Sequence, residues 1–220
     1  MPIVLSFGKE RNPRRLLREL GFSPRVASSW EERRFLHRLE RAPDSLLGGL
    51  CLVMGGFMDG LLGKAYDIIG DLPEFVRSAY DVYYREHDED AAARGLIRRY
   101  GRAGRPVIVI GHSWGGNTAV LDVLAAPYVR LVPVQALLTL DPVGMRGPVA
   151  LPSVQRWRNV YVDYAKADWR RQNNVARIGS PWERVPQAHE NFVFPALNHA
   201  DAAGMFQMFG IDFLNSLQVR

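Results

Sequence analysis

The chain has 220 residues, of which 47% are hydrophobic and 23% are charged, a balance typical of a globular domain with a sizeable core. No apolar run is long enough for a membrane-spanning helix, and the single cysteine, Cys51, excludes an internal disulfide and a cysteine-based zinc site. The formal net charge of +5 comes from residues 1–41, which hold ten Lys or Arg and five Glu, whereas residues 42–220 hold 18 residues of each sign.

The basic N-terminal segment predicts two helices that precede the first strong strand. Asn12 and Gly21 suit the start and the end of one helix, and Ser29-Trp30-Glu31-Glu32 suits the capping box of a second. We therefore expect a basic helical extension over residues 1–45 and one larger domain over residues 46–220. An anionic membrane surface or a protein is a candidate partner for this extension. Nucleic acid is not expected, because Glu residues are interleaved with the Arg residues and no aromatic ladder accompanies them.

The first residues, Met1 to Gly8, do not have the pattern of a secretion signal. A short apolar run is present, but no basic stretch precedes it. We therefore expect a cytoplasmic protein, or one that is exported without a cleaved signal peptide.

From residue 46 onward, apolar strands alternate with helical segments. The continuous apolar run Leu50-Cys51-Leu52-Val53-Met54 predicts a strand buried on both faces, and it indicates that Cys51 is structural rather than a nucleophile. The other predicted strands are at residues 81–84, 106–110, 134–140 and 159–162. The predicted helices are at residues 57–70, 72–79, 89–103, 118–125 and 200–217, and residues 164–198 are expected to form a long loop. This alternation predicts an α/β fold with a doubly wound, mainly parallel sheet.

The strongest chemical signal follows the predicted strand at residues 106–110. There Gly111-His112-Ser113-Trp114-Gly115 joins an apolar strand to a helix, and this is the context in which a Gly-x-Ser-x-Gly turn carries a nucleophile. The two glycines remove side chains where strand and helix come close, and the N-terminus of the helix favours negative charge beside Ser113. The sequence therefore predicts Ser113 as the nucleophile of an acyl-transfer reaction.

Residues 107–120, which contain this turn, resemble the nucleophile elbow of the α/β-hydrolase superfamily, particularly that of its lipases and esterases. The similarity extends over residues 46–220. It implies a sheet of the α/β-hydrolase type and a triad in the chain order Ser, acid, His. It also implies a carboxylic ester substrate, with lipid or other long-acyl esters as the leading class and thioesters and amides as alternatives. No cofactor is implied, and the aspartates show no spacing typical of a metal site.

The chain order of the triad leaves His189 and His199 as candidate bases. His199 is preferred, because it lies in the loop before the last predicted helix, where similar hydrolases carry their base. Asp141 is the preferred acid, because it ends a predicted strand and Leu140-Asp141-Pro142-Val143 resembles the Leu-Asp-Pro stretch that carries the acid in some lipases. Asp163 stays open as the alternative, since many other hydrolases place the acid after the next strand.

The reaction also needs two backbone N–H groups that point at the developing oxyanion. Trp114 is one predicted donor, because it directly follows the nucleophile. Phe57 is the other, because Gly56 allows a tight turn just before it. The loop Gly55-Gly56-Phe57-Met58-Asp59-Gly60 resembles the glycine-containing loop of the superfamily, although it is not the His-Gly-Gly-Gly form found in many esterases.

Two other functional hypotheses stay open. The basic helices, together with the stretches His-Ser-Trp-Gly-Gly and Leu-Asp-Pro-Val, bear a looser resemblance to bacterial lipase-like toxins, which would make the protein a secreted effector. A non-catalytic interaction module on a hydrolase scaffold would keep the serine turn without a working base.

Overall fold

A computed structural model describes residues 48–57, 59, 63–65 and 67–218 of the chain. The basic helical extension predicted over residues 1–45 lies outside the described residues. Within them, one sheet contains six strands: β1 (Gly49–Gly55), β2 (Tyr80–Glu86), β3 (Val107–His112), β4 (Ala136–Leu140), β5 (Trp157–Tyr161) and β6 (Glu190–Val193). The strand order is β2-β1-β3-β4-β5-β6, and every neighbouring pair is parallel. The predicted doubly wound α/β fold is thus confirmed, and the described sheet is parallel throughout.

Helices cover both faces of this sheet. The described helices are α1 (Asp67–Gly70), α2 (Glu74–Ala79), α3 (Asp90–Arg102), α4 (Trp114–Thr118), α5 (Arg171–Ile178) and α6 (Ala202–Asn215). A π-helical segment, Ala119–Leu124, continues directly from α4. Among these described helices, none has both the length and the apolar character needed to cross a lipid bilayer.

The sequence of β1 is apolar without interruption because both faces of this strand are buried. Successive side chains of a strand point to opposite faces, so Leu50, Leu52 and Met54 pack against α3 and the π-helical segment, while Cys51 and Val53 pack on the face covered by α1 and α6. All five side chains are fully buried. Burial also raises the pKa of the Cys51 thiol to about 12, so the reactive thiolate is disfavoured, in agreement with the structural role that the sequence indicates.

Three segments differ from the prediction. Residues 164–198 are not one long loop, because they contain α5 and β6. Residues 57–70 are not one helix, because Lys64 and Ala65 lie in a turn ahead of the short α1. The helix that follows the serine turn also begins at Trp114, four residues before the predicted start.

The topology determines where chemistry can occur. Because all strands run in the same direction, their carboxyl ends share one edge of the sheet. β2 pairs with one side of β1 and β3 pairs with its other side, so the direction of winding reverses at β1. Open α/β sheets bind ligands in the crevice that such a reversal creates at the carboxyl edge. Phe57 follows β1 and Ser113 follows β3, so two predicted site residues lie at this crevice.

Candidate active site

Ser113 stands on a strained turn between β3 and α4. Its backbone has φ 56° and ψ −129°, a conformation that a residue with a side chain rarely adopts. Two backbone hydrogen bonds hold it there: the Ser113 N–H donates to the carbonyl of Leu140 at 3.0 Å, and the Val143 N–H donates to the carbonyl of Ser113 at 3.1 Å. The strain is thus maintained by β4 and by the segment that follows it.

The glycines on either side of Ser113 are required by close backbone contacts. A Cβ atom at Gly111 would lie 2.7 Å from the Cα of Gly116, and one at Gly115 would lie 2.4 Å from the carbonyl oxygen of Met54. Both distances are shorter than a carbon atom tolerates. The pattern Gly-x-Ser-x-Gly therefore has the packing role that the sequence predicts.

His199 lies between Ser113 and Asp141 and contacts both. Its Nε2 is 3.0 Å from Ser113 Oγ, and its Nδ1 is 2.6 Å from Asp141 Oδ2. A buried carboxylate accepts hydrogen bonds only, so we assign the imidazole proton to Nδ1, which leaves Nε2 to accept the hydroxyl proton of Ser113. All three side chains are buried. This arrangement can move a proton from the hydroxyl to the imidazole while the carboxylate stabilises the resulting charge.

The carboxylate of Asp141 is fully buried and has three hydrogen-bond donors. Oδ1 accepts from the Val162 N–H at 3.0 Å, and Oδ2 accepts from the Tyr164 hydroxyl at 2.5 Å as well as from His199. Burial, and next the charge of Asp141, raise the pKa of Tyr164 far above its ordinary value, so its hydroxyl stays protonated. These three donors replace the hydrogen bonds to water that the carboxylate loses when it is buried.

The loop that carries His199 is fastened to α5 by one buried amide. Asn173 Oδ1 accepts from the His199 N–H, and Asn173 Nδ2 donates to the carbonyl of Leu197, each at 2.9 Å. Leu197 has a φ of 48°, which shows that the loop needs this support to keep its shape. Asn173 thus fixes the backbone from which the imidazole extends.

His112 supports the same loop from the other side. Its Nε2 lies 2.8 Å from the carbonyl oxygen of His199, and the two rings are 5.1 Å apart between centroids. Burial, followed by the nearby His199, lowers the pKa of His112 to about 4. The ring is therefore neutral near pH 7, and its Nε2–H donates to that carbonyl.

The two predicted oxyanion donors lie beside Ser113. A Cβ atom at Gly56 would lie 2.6 Å from Ser113 Cβ and 3.0 Å from its Oγ, so the loop after β1 touches Ser113 directly. Within the described part of the chain, neither the Phe57 N–H nor the Trp114 N–H has a hydrogen-bond acceptor. Both groups can therefore donate to a ligand, and their role at an oxyanion stays a prediction.

The side chains around this position form an apolar rim. The rings of Phe57, Trp114 and His87 pack together with centroid separations of 5.6 to 6.2 Å. Phe57 is 59% exposed and Trp114 is 39% exposed. Ile178 is 78% exposed and precedes Gly179, where a Cβ atom would lie 3.0 Å from Trp114 Nε1. Apolar surface thus lies next to the buried Ser113.

The two alternatives from the sequence lie elsewhere. Asp163 is bound to Lys166 at 2.7 Å, and that hydrogen bond holds the pKa of its carboxyl below the ordinary value. His189 Nδ1 accepts the backbone N–H of Trp157 at 2.9 Å. In the described structure, neither side chain contacts Ser113. The structure therefore brings together the preferred acid, Asp141, and the preferred base, His199, and not their alternatives.

Three residues that contact this group were not singled out from the sequence. Tyr164, Asn173 and His112 each contact His199 or Asp141, although the first two come from the segment expected to be a loop. One feature of the sequence could have indicated Tyr164: it follows β5 by three residues, so it lies near the carboxyl edge of the sheet. Nothing in the local sequence of Asn173 marks it.

Among the described residues, no group of three or more His, Cys, Asp or Glu side chains is placed to hold a metal ion. A scan against protein-family models and a search among curated proteins both find no match to this chain.

Proposed function

We propose that the protein is a serine hydrolase of the α/β-hydrolase superfamily, which cleaves carboxylic esters through an acyl-enzyme on Ser113. One observation carries the proposal: a serine on a strained strand-to-helix turn is 3.0 Å from His199, which is 2.6 Å from a buried carboxylate. Strained backbone is retained where function requires it, and this order of groups is that of a nucleophile, its base and the acid that orients the base.

The mechanism begins with a proton transfer from the Ser113 hydroxyl to Nε2 of His199. The oxygen attacks the carbonyl carbon, and the N–H groups of Phe57 and Trp114 bind the oxyanion that forms. The tetrahedral intermediate then expels the alcohol, which takes its proton from His199, and an ester to Ser113 remains. Water, deprotonated by the same imidazole, attacks this ester and releases the acid and the free serine.

We propose lipid or other long-acyl esters as the substrate class. The supporting observation is the apolar rim, where Phe57 and Trp114 leave large apolar side chains exposed beside Ser113. A methylene group gains roughly 0.8 kcal/mol when it leaves water, so each carbon of an acyl chain that lies on this rim favours binding. A short acyl group would leave the same surface uncovered.

The proposal is tested with nitrophenyl esters of increasing acyl length and with a fluorophosphonate probe. The intact chain should react with the probe and should hydrolyse octanoate and longer esters with a higher kcat/KM than acetate. Ser113→Ala should abolish both reactions, while Ser78→Ala, which changes a hydroxyl on the exposed face of α2, should retain them.

Two results would contradict the proposal separately. Full ester hydrolysis by the Ser113→Ala protein would exclude the nucleophile. Activity restricted to acetate would exclude the long-acyl substrate class and leave the serine mechanism standing.

A further inference from the structure

The hydroxyl of Tyr164 and the imidazole of His199 share one oxygen of Asp141. The Tyr164 oxygen is 2.5 Å from Asp141 Oδ2, and His199 Nδ1 is 2.6 Å from the same atom. The Tyr164 oxygen also lies 3.4 Å from Nδ1. The phenol is therefore part of the contact between the acid and the base, and the proposed mechanism does not use it.

Tyr164 is held firmly in this position. The guanidinium of Arg177 donates to the Tyr164 carbonyl at 3.0 Å and lies 5.4 Å from the centre of its ring. The ring is buried, with 8% of the residue exposed, so the hydroxyl has no competing bulk water. Because a buried phenol with a neighbouring carboxylate keeps its proton, the group acts as a fixed donor to Asp141.

We propose that Tyr164 is a positioning residue of the hydrolytic site, where its hydroxyl limits the negative charge that Asp141 presents to His199. This inference rests on the proposed function. When a carboxylate oxygen accepts a second hydrogen bond, part of its negative charge is neutralised by that donor. The carboxylate then stabilises a neighbouring imidazolium less. The hydroxyl thus weakens the support that Asp141 gives to the positive charge that forms on His199 during the reaction, and the acid limb of kcat/KM reports this effect.

Other charged groups near this contact stay in place when the hydroxyl is removed. The ring of His112 faces His199, Asp59 lies near His112, and Arg177 and Glu183 lie near Tyr164. None of them depends on the Tyr164 hydroxyl for a hydrogen bond in the described structure. A change in the titration of His199 can therefore be assigned to the lost donor.

The experiment compares Tyr164→Phe with Tyr161→Phe, a matched change on β5 that removes a phenol outside this contact. The titration of His199 is followed by proton NMR of its ring, with the resonance assigned by its loss in the His199→Gln protein. Tyr164→Phe should move the midpoint of this NMR titration curve to a pH that is higher than in the wild type by roughly 0.5 to 1 unit, a three- to tenfold change, and Tyr161→Phe should leave the curve unchanged. The acid limb of kcat/KM for a nitrophenyl ester should move in the same direction.

A second substitution keeps the test decisive if Tyr164→Phe does not fold. Incorporation of 3-fluorotyrosine at position 164 makes the hydroxyl a stronger donor and should move the midpoint of the titration curve to a lower pH. An unchanged titration of His199 in a folded variant would overturn the inference, as would a fall in activity at all pH values without a shift of the acid limb. Because NMR requires no turnover, a wild-type protein without esterase activity would contradict the proposed function and would still permit this measurement.

Discussion

His112 makes the stability of the protein depend on pH in a way that one substitution can isolate. The ring is neutral in the folded chain, because burial lowers its pKa to about 4, whereas a histidine in the unfolded chain has its ordinary pKa of 6.5. Below pH 6.5 the unfolded state therefore binds a proton that the folded state does not. By linkage, the free energy of unfolding falls as the pH falls from about 6.5 to about 4, and it levels off below that window.

The size of this effect follows from the difference between the two pKa values. Each unit of difference corresponds to about 1.4 kcal/mol, so the complete loss between pH 6.5 and 4 is about 3 kcal/mol, of which about 2 kcal/mol is reached by pH 5. A loss of this size is a large part of the free energy of unfolding of an ordinary domain. Carboxylates titrate in the same range, so the wild-type curve alone does not identify the histidine.

The His112→Gln protein supplies the comparison. Glutamine retains an N–H that can donate to the carbonyl of His199, and it carries no charge in either state. Urea unfolding at pH 7, 6 and 5, followed by tryptophan fluorescence, should show that the wild type loses about 2 kcal/mol more than the variant over this range. Parallel pH dependences of the two proteins would refute the assignment of a neutral buried ring.

Two further substitutions test the geometry around the nucleophile. Gly56→Ala places a methyl group 2.6 Å from Ser113 Cβ, so we expect kcat to fall about 100-fold in a folded protein, as misplacement of a reacting group does. Gly70→Ala is the control, because a Cβ atom there meets nothing within 4 Å; equal rates in the two variants would contradict the prediction. Asn173→Ala leaves two backbone groups of the loop that carries the base without their partner, and it should lower the free energy of unfolding by about 2 kcal/mol in thermal denaturation. Asn174→Ala removes a more exposed amide from the same helix, and a loss as large as that of Asn173→Ala would show that the buried contacts contribute little.

The sequence predicts the parts of this fold whose signal is local. β1 and β3 are continuous apolar runs because both of their faces are buried, so their positions agree with the structure to within two residues. Ser113 is marked by the glycines that its turn requires. By contrast, α5 begins with Arg171-Gln172-Asn173-Asn174. β6 has four residues at the edge of the sheet, three of them partly buried and one exposed, so neither element gives a clear periodic pattern.

The sequence favours Asp141 over Asp163 and His199 over His189 as the partners of Ser113, and it leaves the second residue of each pair open. Asp141 and Asp163 both follow strands, and which of them meets the base depends on the loops between β5 and α6. His189 and His199 differ in the sequence only by their distance from the last helix. Tertiary contacts bring together Asp141 and His199, the two residues that the local pattern favours. The catalytic roles of these residues stay predictions that the variants above would test.

The members of the candidate triad come from distant parts of the chain, with His199 following Ser113 by 86 positions. During synthesis the serine turn leaves the ribosome long before the imidazole exists, so under the proposed mechanism a nascent chain cannot attack the esters around it. Under the same mechanism, acyl transfer becomes possible only when β6 and the loop before α6 have packed against the strands that were synthesised earlier. Labelling by a fluorophosphonate during refolding would therefore time the arrival of the last segments, which fluorescence from the central sheet does not report.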